Sequence, residues 1–141
     1  MSERPDIEAL ASIAVDCGLK LHQRLGPGLL ESAYEKVLAH MLMERGLRVE
    51  TQKLVPITVD GLCIENGFRA DILVEGQLLI EVKSVDRFEP VHAKQVLTYL
   101  RLLDMPLGLL MNFSGATFRE GLRRVVNNHQ EIGGSPLNIH Q

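Results

Sequence analysis

Residues 68–85, FRADILVEGQLLIEVKSV, hold two apolar runs of strand length joined by Glu75-Gly76-Gln77. Apolar runs of this length bounded by turn residues read as neighbouring strands. The second run, residues 78–85, is apolar on both of its sides, so it reads as a buried strand. Such a strand needs further strands beside it and cover on its faces. The order of elements along the chain (helix, helix, three or four strands, helix, one or two strands) makes this a mixed α/β sheet with helices packed on it. Glu81 and Lys83 interrupt the run two residues apart. Side chains alternate across a strand, so Leu79, Glu81 and Lys83 share one face and Leu78, Ile80 and Val82 the other. Burying charge in an apolar strand is unfavourable. The two residues therefore form either a structural ion pair or part of a reaction site.

The flanking sequence supplies the other elements. Residues 7–24 place Ile7, Leu10, Ile13, Ala14, Cys17 and Leu21 at helical spacing, and Gly26-Pro27-Gly28 ends that helix. A second helix carries Leu30, Tyr34, Val37, Leu38, Met41 and Leu42 on one stripe and stops at Gly46. Residues 54–59 read as a strand whose Pro56 suits a sheet edge. Asp60-Gly61 is a tight hairpin signal into a short strand over residues 62–65, and residues 68–74 form the next. Pro90 opens a helix reaching about Leu103. Residues 107–113 are an apolar strand, and residues 117–126 fit either a helix or a last strand, with a strand expected. The expected unit is one domain over residues 1–132 with a frayed tail, residues 133–141.

Composition removes several classes of function. The 141 residues carry a formal charge of −3, so no global basic field draws the chain onto nucleic acid, although a locally basic face remains open. No apolar run approaches the ~20 residues that span a membrane, and the N-terminus lacks a signal core. A cytoplasmic protein without an organic cofactor is expected. Cys17 and Cys63 share no metal spacing and read as two buried free thiols. His22, His40, His92, His129 and His140 have no zinc-type spacing. Gly26-Pro27-Gly28 lacks the GK[ST] of a phosphate loop and follows a helix, so it reads as a turn.

One pairing brings a third charge to Glu81 and Lys83. If the turn is a three-residue loop centred on Gly76, Val74 pairs with Leu78 and Asp71 falls opposite Glu81. A loop one residue longer or shorter breaks that register. Opposed carboxylates on paired strands repel and need a cation. Hard oxygen ligands suit Mg²⁺, which binds through one or two carboxylates plus waters and phosphate oxygens. A lysine beside such an ion can orient a water or steady charge on a phosphate. The alternative is that Lys83 neutralises Glu81 and Asp71 at a strand end.

Asp71, nine intervening residues, then Glu81-Val82-Lys83 resembles the D…(D/E)xK core of the PD-(D/E)XK nuclease superfamily. GLLESAY, residues 28–34, resembles the GxxExxY motif that names one bacterial branch of it. The resemblance runs from the first helix to about Val126. It implies a restriction-endonuclease-like core, a central mixed β-sheet flanked by α-helices. It also implies Mg²⁺ (or Mn²⁺), a nucleic-acid partner, Asp71 and Glu81 as metal-binding acids and Lys83 as catalytic lysine. Glu31 occupies the place of an additional helix acid, and Gln95 with Tyr99 resembles a QxxxY element. Ala70 stands where the motif has proline, a position that coordinates nothing.

Helical spacing puts Glu31 with Tyr34, and Gln95 with Tyr99 and His92, on shared faces. Glu31 also reads as a first-turn acid favoured by the helix dipole, and Tyr34 and Tyr99 as core residues with satisfied hydroxyls. Tyr34, His92, Arg69, Arg123 and Arg124 are candidates for substrate contact, the arginines through phosphates. The expected activity is Mg²⁺-dependent hydrolysis of phosphodiester bonds in DNA or RNA. The competing expectation is a catalytically silent module that keeps the fold as a nucleic-acid or protein binding platform. A two-fold homodimer is a further way for a small chain to present one site to each strand of a duplex.

Overall fold

The computed structural model describes residues 5–128. Within them the elements run α1 (Ile7–Leu25), α2 (Glu31–Glu44), β1 (Val49–Val59), β2 (Leu62–Val74), β3 (Leu78–Lys83), α3 (Pro90–Leu103), β4 (Leu107–Asn112), a 3₁₀ turn (Arg119–Gly121) and β5 (Leu122–Val126). Asp6 caps α1 by accepting hydrogen bonds from the Glu8 and Ala9 amides, and Gly26, at φ 69°, ends it. The tail at residues 133–141, the end of the expected domain, and His129 and His140 lie outside the described residues.

The strands form one sheet in the order β1-β2-β3-β4-β5. All neighbours are antiparallel except β3 and β4, so the sheet is mixed. Parallel neighbours need a crossover, which α3 provides. One core lies between α1, α2 and the sheet, through Leu10, Leu21, Leu38, Ile80, Val82 and Leu109. A second joins α3 to the opposite face, through Val96, Leu100, Leu79 and Leu110. Both faces of β3 are covered, which accounts for its continuous apolar run.

The turn at Glu75-Gly76-Gln77 has the expected register, with Val74 opposite Leu78, Leu73 opposite Leu79 and Ile72 opposite Ile80. Asp60 and Gly61, at φ 49° and 81°, close the β1–β2 hairpin in two residues. Pro56 lies on the edge strand where the register shifts between Val55 and Ile57.

Several expectations change. The edge strand begins at Val49 rather than at residue 54, and residues 62–74 are one strand rather than two. Gly67 lets that strand run on, because Ile57 packs where a Cβ would stand, its Cγ1 only 2.3 Å away. Residues 117–126 divide into a 3₁₀ turn and a strand. Leu30 is 78% exposed because it precedes the first turn of α2 instead of joining its stripe, and Val37 is exposed as well. Cys17 is a buried free thiol, but Cys63 is exposed near the hairpin tip.

One irregularity bears on function. Ile72 and Val74 of β2 face α1 and α2, whereas Phe68 and Ala70, of the same parity, face α3. The alternation inverts at Asp71. On β1 the inversion falls at Gln52, which has a left-handed φ of 50° between the pairs Thr51–Ile72 and Lys53–Ala70.

A tight approach secures the chain beyond β3. Buried Asn112 accepts from the Val85 amide at 3.0 Å and donates to the Val85 carbonyl at 2.9 Å. A Cβ on Gly121 would lie 2.0 Å from the Asn112 carbonyl oxygen. Backbone cannot yield as a side chain does, so Gly121→Ala is expected to destabilise the protein by about 3 kcal/mol. Urea denaturation measures this, and a loss below about 1 kcal/mol would show that the contact relaxes.

Candidate active site

The β2–β3 ladder stops at Ile72 and Ile80, one residue short of Asp71 and Glu81. From there the two acids bind the opposite strand's backbone. The Asp71 amide donates to Glu81 Oε2 at 2.9 Å, and the Val82 amide donates to Asp71 Oδ2 at 2.9 Å. Strands that would close against each other are held apart by two carboxylates. The other oxygens, Asp71 Oδ1 and Glu81 Oε1, stay outside this exchange.

Burial gives the acids unusual electrostatics. Glu81 is 3% exposed. Desolvation, with the neighbouring charge of Asp71, pushes its carboxyl up to about 8, against the Asp71 amide and Lys83, which pull it down. Asp71 is also raised by burial, with Glu31 adding to the effect and the Val82 amide and Lys83 opposing it. Lys83 is half-buried, on the same side of β3 as Glu81. Its ammonium makes no direct ion pair among the described residues, yet both acids feel its charge. Desolvation outweighs the pull of Lys83 at both acids, so both stay raised.

Glu31 joins this end of the sheet through α2. Its carboxylate accepts from the Ser84 amide at 3.0 Å, and the Ser84 hydroxyl donates to the Leu29 carbonyl at 3.1 Å. The start of α2 is thus stitched to the residue after Lys83. On α3, Tyr99 stacks on Phe68 with centroids 4.0 Å apart. Its phenol is raised by burial and further by the charges of Glu81 and Asp71, so it lies within their field. Gln95 is half-buried one turn earlier on α3.

The remaining candidates are placed elsewhere. Tyr34 is fully buried against Phe113, their centroids 4.6 Å apart. Its hydroxyl donates to the Gly26 carbonyl at 2.5 Å and accepts from the Leu29 amide at 3.1 Å. It therefore fastens the Gly26-Pro27-Gly28 turn, with its hydroxyl engaged both as donor and as acceptor. Tyr34→Phe is expected to cost about 1–3 kcal/mol by leaving those backbone groups unpaired. The check is a melt alongside cleavage kinetics, and a fall in kcat at unchanged stability would contradict the fastening role.

His92 accepts from the Glu89 amide at 3.0 Å in a reciprocal cap of α3. Arg124 pairs with Glu8 of α1 at 2.5 Å, so it is held on the helix side of the sheet. Arg123 lies over Phe88, 5.0 Å from the ring centroid, and donates to the Glu120 and Leu122 carbonyls. Neighbours along a strand point to opposite faces, so the two arginines do not form one basic patch. Arg69 is exposed on β2, two residues before Asp71.

Glu35 and Gln52 are residues that sequence reasoning missed. Glu35 is buried on α2, and Gln52 Nε2 lies 2.7 Å from both of its oxygens and 3.4 Å from Asp71 Oδ1. Burial raises Glu35, the Gln52 bond opposes the rise, and the charge of Asp71 adds to it. The one available signal was spacing, since Glu35 follows Glu31 by a helical turn.

Among the described residues, no three His, Cys, Asp or Glu side chains form a ready-made metal cage. The donors nevertheless suit a hard cation. Two carboxylates raised by burial, each with an oxygen outside the backbone exchange, can ligate Mg²⁺, which keeps several waters and needs only one or two protein acids.

A family model described as the PD-(D/E)XK nuclease superfamily matches residues 8–125. No curated protein and no solved structure matches the chain.

Proposed function

The chain belongs to the PD-(D/E)XK nuclease superfamily, and from that premise we propose that it hydrolyses phosphodiester bonds of nucleic acid with Mg²⁺ or Mn²⁺. The observation that carries this reading is the crossed capture of Asp71 and Glu81, where β2 and β3 part beside Lys83. Asp71 and Glu81 hold the cation, and Glu31 contributes through water from the start of α2. When bound, the ion supplies Lewis-acid polarisation of the phosphate and a water of lowered pKa.

The chain's own groups do the rest. The Asp71 and Val82 amides fix one oxygen of each carboxylate and so orient the other. Lys83 orients the attacking water and offsets charge on the phosphate. Tyr99 and Gln95 line the α3 side, where they steady the scissile strand or Lys83. The resemblance of residues 28–34 to GxxExxY supports a place for the chain in that branch, with Glu31 as its motif acid.

The test is incubation of purified protein with Mn²⁺ or Mg²⁺ on single- and double-stranded DNA and RNA, with Lys83→Ala as control. Cleavage that Lys83→Ala loses supports the reading. No cleavage of any substrate, or equal cleavage by Lys83→Ala, overturns it and leaves the fold as a binding platform.

A further inference from the structure

Glu35 and Gln52 take no part in the chemistry assigned above, yet both are in unfavourable states. Glu35 is 7% exposed and forms no ion pair among the described residues. Its partner is a neutral amide, 2.7 Å from both oxygens. Burying a carboxylate on such terms is costly. Gln52 sits in the left-handed region at φ 50° in the middle of a strand. A non-glycine residue there costs about 1–3 kcal/mol. Gln52 is exposed, so core packing does not explain the strain.

Hydrogen bonding does explain it. Nε2 of Gln52 faces Glu35 on one side and Asp71 Oδ1, at 3.4 Å, on the other. With carboxylates on both sides, the amide must present its NH₂ group, and its two hydrogens serve one acid each. The strained backbone is where the alternation of β1 and β2 inverts, and it brings the amide between the two acids.

We propose that Glu35 and Gln52 are positioning residues for Asp71. Glu35 fixes the direction of the Gln52 amide, and the amide fixes Asp71 Oδ1 as a cation ligand. Outer partners of this kind orient metal-binding carboxylates and change cation affinity by about 10–100-fold. The inference rests on the nuclease reading, because it needs a cation at Asp71. A purely structural pair would bridge α2 to β1 and leave cation affinity unchanged.

A double-mutant cycle separates the two. Mn²⁺ affinity is measured by calorimetry for the wild type, Glu35→Gln, Gln52→Ala and the double variant, each with a thermal melt. Each single variant is expected to bind Mn²⁺ about tenfold more weakly. The double is expected to be no weaker than the worse single, since both act along one path. Glu35→Gln keeps the shape and removes a buried charge, so its melting temperature stays level or rises.

Wild-type Mn²⁺ affinity in Glu35→Gln, or effects that multiply in the double, overturns the inference. Asp71→Asn is the control for the underlying reading. If the wild type binds Mn²⁺ and Asp71→Asn does not, a failed cycle sinks the positioning role alone. If the wild type binds no Mn²⁺, the metal site and this inference fall together.

Discussion

Glu81→Gln is expected to raise the melting temperature of the metal-free protein at pH 8 while removing cleavage. Glu81 ionises near its ordinary value of 4.5 in the unfolded chain and only at about 8 in the fold. Between those values the folded state binds more protons than the unfolded one, so stability falls as pH rises. Glutamine keeps an acceptor for the Asp71 amide and never ionises, so the variant loses that decline. Each kcal/mol recovered is about 2–4 °C in a chain of this size.

The same substitution removes a cation ligand, and cleavage is expected to drop by about 10³-fold. Melts from pH 5 to pH 8 in chelator, with cleavage assays in Mn²⁺, test both halves. If wild type and Glu81→Gln decline in parallel with pH, the buried carboxyl is not the source of the slope. The linkage also predicts that Mn²⁺ binding at pH 7 releases protons, which calorimetry in two buffers of different ionisation enthalpy detects.

Lys83→Met is expected to separate catalysis from cation binding. Cleavage should fall by about 10²–10⁴-fold, the range for a positioned proton-handling group. Mn²⁺ affinity should hold or rise, because the variant removes the positive charge that Asp71 and Glu81 feel. Stability should change little, since the ammonium makes no direct ion pair among the described residues. A Lys83→Met protein that loses Mn²⁺ binding and stability in step with activity would make the lysine a structural counter-charge.

The strained pair at Gln52 and the acids at Asp71 and Glu81 share one stability logic. Desolvated like charges and a left-handed strand residue are local costs, and such costs concentrate where groups are held ready for a ligand. The two cores around β3 hold these groups in place. Asp71 and Glu81 keep their crossed hydrogen bonds because Ile72 and Ile80, the last paired residues, are fully buried.

Much of this was legible along the chain. The Gly76 turn set the count from Asp71 to Glu81, and alternation placed Glu81 with Lys83. Helical spacing read α1 and α3 nearly to their ends. What was not legible was where individual side chains spend their contacts. Cys63 and Leu30 are apolar by type and exposed by position, and among the described residues neither joins either core. Tyr34 and His92 lie among the site motifs but spend their polar atoms on the Gly26 turn and the α3 cap. Arg123 and Arg124 are adjacent in sequence and separated by the strand's two faces.

By itself, the sequence determined the α/β class and, for a three-residue turn at Gly76, the register that brings Asp71 to Glu81, because strand period and turn length are local quantities. Only the tertiary structure decided that the ladder ends at that meeting, that burial carries Glu81 to about 8, and that Glu35 reaches Asp71 through Gln52. Desolvation and hydrogen bonding across 17 and 19 residues of chain depend on which surfaces come together, and no local pattern encodes them.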